Sequence, residues 1–283
     1  MASFTNFATL SYNGGTTNSN IVTGEILEAL TAVKTAVSAN YSAGDRITYA
    51  LPLVNTGTAA ITDYTVTDNL GGYTVGANTV YPLAYNAGTV RYYINGVLQT
   101  PPTVTAGPPL TVTGLTVPAG GSAVLIYETT ATPVAPLATG SSITNTATIT
   151  GGGLTTPITA QATVETANSA ELSISKALSP TTVTENGQIT YTFVISNTGN
   201  TEATATGNVV VTDTFAPILR NIAVTYNGTA WTEGTNYTYN AATGVFTTLA
   251  GQITVPAASF TQNTDGTFTV TPGTATLVIT GTV

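Results

Sequence analysis

Only two lysines occur in the chain, and an internal repeat puts them at one equivalent position. Lys34 to Asn55 matches Lys176 to Asn197 at a constant offset, pairing ITYALPLVNTG with ITYTFVISNTG. A second pair of segments, YTVTDNL at 64–70 and VVVTDTF at 209–215, makes Asp68 and Asp213 correspond. A third, SSITNTATITGGGLTTPITAQATVE at 141–165 and SFTNFATLSYNGGTTNSNIVTGEILE at 3–28, sets Asn6 on Asn145 and Glu28 on Glu165. Successive strand residues point to opposite faces. Lys176 therefore shares a face with Leu172, Ile174 and Leu178, and Asp213 with Val209, Val211 and Phe215. Asp68 goes with Tyr64, Val66 and Leu70, Asn145 with Ile143, Ala147 and Ile149, and Asn6 with Phe4, Ala8 and Leu10. Lysine, carboxyl and carboxamide are thus all expected to point inward. Burial disfavours charge, so a buried lysine tends toward the nucleophilic free amine and a buried carboxyl toward an acid that can polarise a carboxamide. Attack of the amine on the Asn side chain would release ammonia and leave an amide. The competing reading is a buried Lys–Asp salt bridge, or a lysine that snorkels to an edge, with the Asn capping a strand end.

Strands must carry these residues. Period-2 runs rich in Val, Ile, Thr and Tyr recur along the whole chain, separated by Gly, Pro and Asn turn signals. Asn95-Gly96 and Asn227-Gly228 fall between strand-like flanks, where Asn-Gly suits a tight hairpin. Only residues 24–37, GEILEALTAVKTAV, have a helical flavour, and the repeat makes their second half a strand. The expected fold is all-β: two tandem Ig-like antiparallel β-sandwiches, the second incomplete, with an N-terminal donor hairpin. The expected divisions are 1–28 for the hairpin, 29–165 for a complete sandwich and 166–283 for a sandwich without its closing hairpin. That gap is expected to leave Leu172, Ile174, Val211, Leu277 and Ile279 facing water along a groove.

Composition narrows the function. The 283 residues suffice for two domains, yet only 6% are charged and the net charge is −8. No basic patch is available for nucleic acid or anionic lipid. There is no His and no Cys, which removes His-based triads, thiol nucleophiles and disulfides, and no metal or other cofactor is expected. No apolar run is long enough to insert into a membrane, and the start lacks a classical signal peptide. Asp45, Asp63, Glu185 and Asp265 lie in turn-like contexts and read as surface charge rather than calcium ligands.

The runs LSISKALSPTTVTENGQITYTFVISNTGN (172–200), VTDTF (211–215) and SITNTATITG (142–151) resemble the conserved-repeat β-sandwich family of bacterial surface proteins, the domain of unknown function 11 type. Two such repeats in a chain of this size are also similar to the major subunits of clostridial spore appendages, which implies self-assembling filaments on a spore or other extracellular surface. The inward Lys, Asp and Asn match the set that forms isopeptide bonds in Gram-positive surface domains. On that likeness Lys34 and Asn145 form an intramolecular bond assisted by Asp68. Lys176 and Asp213 meet Asn6 of a neighbouring subunit, whose Phe4, Asn6, Ala8 and Leu10 line the donor strand. Glu128 is an alternative catalyst in the first domain, although its repeat position holds Thr280.

The expected function is a structural subunit that polymerises head to tail, not an enzyme beyond autocatalytic bond formation. Its partners are copies of itself, with lateral filament contacts or a surface anchor protein as further candidates. The alternative is a glycan- or surface-binding adhesin module using Tyr92, Tyr93, Trp231, Tyr237 and Tyr239, although cross-strand packing is the better explanation for such aromatics.

Overall fold

The computed structural model describes residues 2–26 and 29–283. The chain divides into two compact units, Met1–Ala135 with Ser142–Glu165, and Pro136–Ser141 with Thr166–Val283. Among the described residues the regular structure is strand, apart from one 3-10 turn at Ala205–Gly207. The protein is all-β, and its long strand pairs among the described residues are antiparallel. No helix is long and apolar enough to cross a membrane.

Four short strands come first: β1 (Ala2–Asn6), β2 (Thr9–Tyr12), β3 (Gly15–Asn18) and β4 (Val22–Ile26). They form one long hairpin, β1 against β4 and β2 against β3. Its turn is Asn13-Gly14, with φ of 45° and 79°, a geometry that Asn-Gly adopts without penalty. Asn6 lies opposite Val22, whereas Ala8 bonds Ser19, so the return strand carries one extra residue between them. The first strand keeps its alternation, and residues 4–23 are all exposed. The register sets Ser3 opposite Glu25, as Ser142 stands opposite Glu165. Glu25 is therefore the positional counterpart of Glu165; Glu28 lies outside the described residues.

The first sandwich continues with β5 (Leu30–Ala32), β6 (Thr35–Ala36), β7 (Asn40–Tyr41), β8 (Arg46–Asn55), β9 (Ile61–Asp68), β10 (Tyr73–Val75), β11 (Asn78–Val80) and β12 (Leu83–Tyr85). After them come β13 (Arg91–Ile94), β14 (Val97–Leu98), β15 (Thr103–Thr105), β16 (Leu110–Val117), β17 (Ser122–Ala131), β18 (Ser142–Gly151) and β19 (Ile158–Thr166). One sheet runs β14-β13-β17-β8-β5, with β6 also on β8 and β12 on β17; the other runs β15-β16-β9-β18-β19-β7. Strict alternation makes this work: Ile47, Tyr49, Leu51 and Leu53 of β8 are buried, and so are Tyr64 and Val66 of β9 and Ile143, Ala147 and Ile149 of β18. Each large side chain removed from water contributes about 1.5–3 kcal/mol.

The second unit contains β20 (Leu172–Ser179), β21 (Gln188–Asn197), β22 (Thr212–Thr214), β23 (Arg220–Tyr226), β24 (Thr229–Trp231), β25 (Tyr237–Asn240), β26 (Val245–Thr248), β27 (Ser259–Gln262), β28 (Phe268–Thr271) and β29 (Gly273–Thr282). A sheet in the order β20-β21-β29-β23-β24 corresponds to the first sheet of the other unit. Facing it is the smaller sheet β22-β26-β25. Among the described residues nothing pairs with the other edge of β22, the edge that β18 covers on β9 in the first sandwich. The expected groove is narrower than the repeat suggests. Leu172 and Ile174 are exposed, but Val211, Leu277 and Ile279 are buried. Phe215 and Phe246 fill the core beside them, with Tyr191 stacked on Phe215 at 4.9 Å. The opening is confined to β20 and the free edge of β22.

Candidate functional site

Lys34 follows β5 and approaches from one sheet; Asp68 ends β9 and Asn145 lies on β18, both in the other sheet. Asp68 stands directly opposite Ala147, so Asn145, two residues along, is its diagonal neighbour on the same face. All three side chains are buried. The Lys34 ammonium donates to Asp68 Oδ2, and the Tyr127 hydroxyl donates to the same oxygen. The Leu70 amide donates to Asp68 Oδ1 at 2.9 Å. Beneath them Tyr49 and Tyr127, a directly opposed pair on β8 and β17, stack at 5.7 Å, and the Lys34 nitrogen lies 4.8 Å from the Tyr49 ring centre.

The electrostatics follow from burial. Loss of solvation pulls the Lys34 amine down from 10.5 to about 8, against the opposing pull of Asp68. Burial drives the Tyr49 and Tyr127 hydroxyls up, helped by the Asp68 charge. Both stay protonated and able to donate. The Asn145 carboxamide lies close enough to both phenols to favour their ionised forms slightly, yet neither its Nδ2 nor its Oδ1 makes a hydrogen bond of acceptable geometry. Tyr49 Oη is also without a partner. Orphaned buried polar groups ordinarily cost about 1–3 kcal/mol each and are rare.

Asn55 and its repeat partner Asn197 show the usual outcome for a buried Asn. Asn55 Nδ2 donates to the Ala59 and Pro118 carbonyls at 2.8 and 3.0 Å, and its Oδ1 accepts from Gly57 at 2.9 Å. Asn197 repeats this with Thr201, Pro256 and Gly199 at 2.7, 3.0 and 2.9 Å. These two tie the Asn-Thr-Gly turn to the facing sheet. Asn145 is satisfied by nothing and lies against the two tyrosines that flank the Lys34–Asp68 pair.

In the second unit Lys176 and Asp213 also meet, at 2.5 Å, with Lys176 4.4 Å from the Tyr191 ring centre. Alternation predicts a buried Lys176, but its side chain is 39% exposed against 0% for Lys34. The phase is right; the missing layer opposite β20 leaves it in water. At the place of the opposed tyrosines stand Tyr191 and Ile279. Asn6, with Phe4, Ala8 and Leu10, lies on the exposed hairpin.

Several other candidates have ordinary roles. Glu128 points outward, 3.6 Å from Arg46, because the alternation that turns Tyr127 inward turns Glu128 away, so it does not serve the centre. Asp45 accepts from the Ser42 amide at 2.8 Å, and Asp265 from Thr267 at 3.0 Å, which lowers its proton affinity. Among the described residues no cluster of three or more acidic side chains could hold a metal. Tyr92 is buried and bonds Thr116, Trp231 stacks on Tyr226 at 4.8 Å, and Tyr237 packs on Phe246 at 5.2 Å. Tyr239 bonds the Leu219 carbonyl at 2.7 Å. Four of the five aromatics proposed for a sugar platform are thus held in packing or hydrogen bonds.

The arrangement defines an all-β sandwich protein with one enclosed Lys–Asp–Asn centre and one open Lys–Asp counterpart. No protein-family model matches the chain, and no curated protein matches it. Among solved structures it is similar to the major pilin subunit BcpA of Bacillus cereus, at 14% identity over 96% of this chain and 73% of that one, TM-score 0.35. It is similar to the pilus backbone RrgB of Streptococcus pneumoniae at 13% identity over 86% of this chain and 55% of that one, TM-score 0.36. Its likeness to the N-terminal domain of the Streptococcus gordonii adhesin Sgo0707 is 14% identity over 48% of this chain, TM-score 0.36, and spans 32% of the adhesin domain.

Proposed function

We propose that the protein is a structural subunit that assembles head to tail into a filament on an extracellular or spore surface, joined by donated β-strands and locked by Lys–Asn amide bonds. The observation that carries this reading is complementarity within one chain. Residues 4–23 of the β1–β4 hairpin are exposed and carry Asn6 at the position Asn145 holds on β18, and among the described residues β22 offers an unpaired edge beside a Lys–Asp pair. Exposed strand edges template other chains. A hairpin of one copy laid on β22 of the next sets Ala8 opposite Asp213, as Ala147 faces Asp68, and brings Asn6 to Lys176. Such a contact repeats without closing, which makes a fibre.

In the enclosed centre the step balances within the chain. The neutral Lys34 amine attacks Asn145 Cγ, the Cγ–Nδ2 bond breaks, Asp68 carries the proton from amine to leaving group, and ammonia departs. This is a single turnover on the protein itself and needs no cofactor. The orphaned Asn145 carboxamide and the weakened Lys34 amine support it. The glycan-binding alternative has less support, because most of its aromatics are engaged internally.

Removal of residues 1–28 tests the assembly. The truncated protein should remain monomeric by light scattering and negative-stain microscopy, while Asn6→Ala should polymerise yet separate into single chains in boiling detergent. Normal filaments from the truncated protein would rule out strand donation.

A further inference from the structure

We infer that Tyr127 is a positioning residue for the amide-forming centre of the first sandwich, and that its replacement by Ile279 makes the second centre intrinsically slower. This rests on the amide-forming reading above. The two units share the lysine, the aspartate and one tyrosine of the opposed pair, Tyr49 in one and Tyr191 in the other. They differ at the cross-strand partner, where Tyr127 faces Tyr49 and Ile279 faces Tyr191. Tyr127 is fully buried and donates its hydroxyl to Asp68 Oδ2, the oxygen that also receives Lys34. Asp68 is thereby held from two sides at Oδ2 and by the Leu70 amide at Oδ1. Asp213 has Lys176 at Oδ2 and the Thr214 amide at Oδ1, at 2.9 Å, and Ile279 has no hydroxyl to offer.

The hydroxyl matters because Asp68 must take a proton from the amine and deliver it to the departing amide without swinging away. Once the lysine has given up its proton and left to form the amide, Asp68 still has Tyr127 at Oδ2 and the Leu70 amide at Oδ1, whereas Asp213 keeps only the Thr214 amide. A carboxyl so fixed keeps its transfer geometry, and positioned proton transfer ordinarily contributes about 10²–10⁴-fold in rate. The enclosed centre is therefore equipped to react as the sandwich folds. The open centre lacks that aid and reacts on the slower timescale of a docked neighbour. A premature bond to a wrongly registered strand is less favoured at such a centre.

The experiment is a time course of intact mass after refolding the full-length protein, read beside a far-ultraviolet folding signal. The wild type should lose one ammonia from the first unit. Tyr127→Phe should fold with the same signal and lose ammonia about 10²-fold more slowly. A folded Tyr127→Phe that reacts at the wild-type rate overturns the role of Tyr127 and leaves the amide reading standing. A wild type that keeps its full mass overturns the amide reading and this role together. If Tyr127→Phe does not fold, 3-fluorotyrosine placed at 127 keeps the shape while making the hydroxyl a stronger donor. The pH–rate profile should then move to lower pH, a readout that packing alone would not change, and an unmoved profile overturns the inference.

Discussion

Asn145→Ala leaves Lys34 buried with no carboxamide to react with, and the price of that burial becomes measurable as pH-dependent stability. The folded-state amine lies at about 8 against 10.5 when solvated. Each tenfold change in proton affinity is worth about 1.4 kcal/mol, so the gap amounts to about 3 kcal/mol. Below pH 8 both folded and unfolded chains hold the proton, and the fold carries the full cost of a buried ammonium. Between 8 and 10.5 the folded chain releases the proton while the unfolded chain keeps it, so stability rises with pH and is complete above 10.5. Tyrosines oppose this near the top of the range. Burial raises Tyr41, Tyr49, Tyr64 and Tyr127, so the unfolded chain ionises first and stability falls above about pH 10. That effect is common to wild type and variant and cancels in their difference. Urea unfolding at half-unit steps from pH 7 to 10 should therefore show Asn145→Ala gaining on the wild type by about 2–3 kcal/mol, because an amide-bonded Lys34 has no proton to titrate. Parallel rising curves would refute the bond, and parallel flat curves would refute the account of the buried amine.

On the amide reading, intact mass should show the wild type one ammonia short of its calculated mass and Asp68→Ala at its full calculated mass. In the truncated, unassembled protein an acylating reagent should modify Lys176 rapidly and leave Lys34 untouched, as peptide mapping would show; equal labelling would contradict the difference in burial. Gly199→Ala should cost about 1–3 kcal/mol by urea unfolding, since its Cβ would meet the Ser169 oxygen at 2.2 Å and the Glu171 nitrogen at 2.6 Å. Gly207→Ala, which meets nothing within 4 Å, serves as the neutral control. Asn55→Ala should lower stability by about 2–4 kcal/mol through loss of its hydrogen bonds and the orphaning of the Gly57 amide.

The strands were legible because a sandwich needs alternation, and β8, β17 and β19 alternate along nearly their whole length. Alternation also tells which side of a sheet a residue faces, which is why Lys34, Asp68 and Asn145 could be placed on one inward surface. It does not tell whether a second layer covers that side. Lys176 has the inward phase and stands in water for that reason, while Leu277 and Ile279 share a buried core with Phe215, just past β22, and Phe246 of β26. Tyr49 and Tyr127 were missed because a buried sheet tyrosine looks like packing. The available signal was comparative: position 49 is Tyr in both repeats, and position 127 is not. Asn55 and Asn197 were visible as a shared turn, but their hold on the facing sheet depends on carbonyls near residues 118 and 256 that no local pattern links to them.

The placement of Lys34 near the first strand of its sandwich and Asn145 near the last has a mechanical meaning. A pull along the chain enters the unit beside β5 and leaves it after β19. With the amide in place, the load passes from residue 34 directly to residue 145, and everything between them is bypassed. Strands β6 to β17 then bear no tension, and hydrogen bonds and packing resist extension only in β5, the rest of β18 and β19, which lie outside the bridge. A bonded sandwich would therefore lengthen under load only by those outer segments, and the closed loop from 34 to 145 would yield only when a covalent bond breaks.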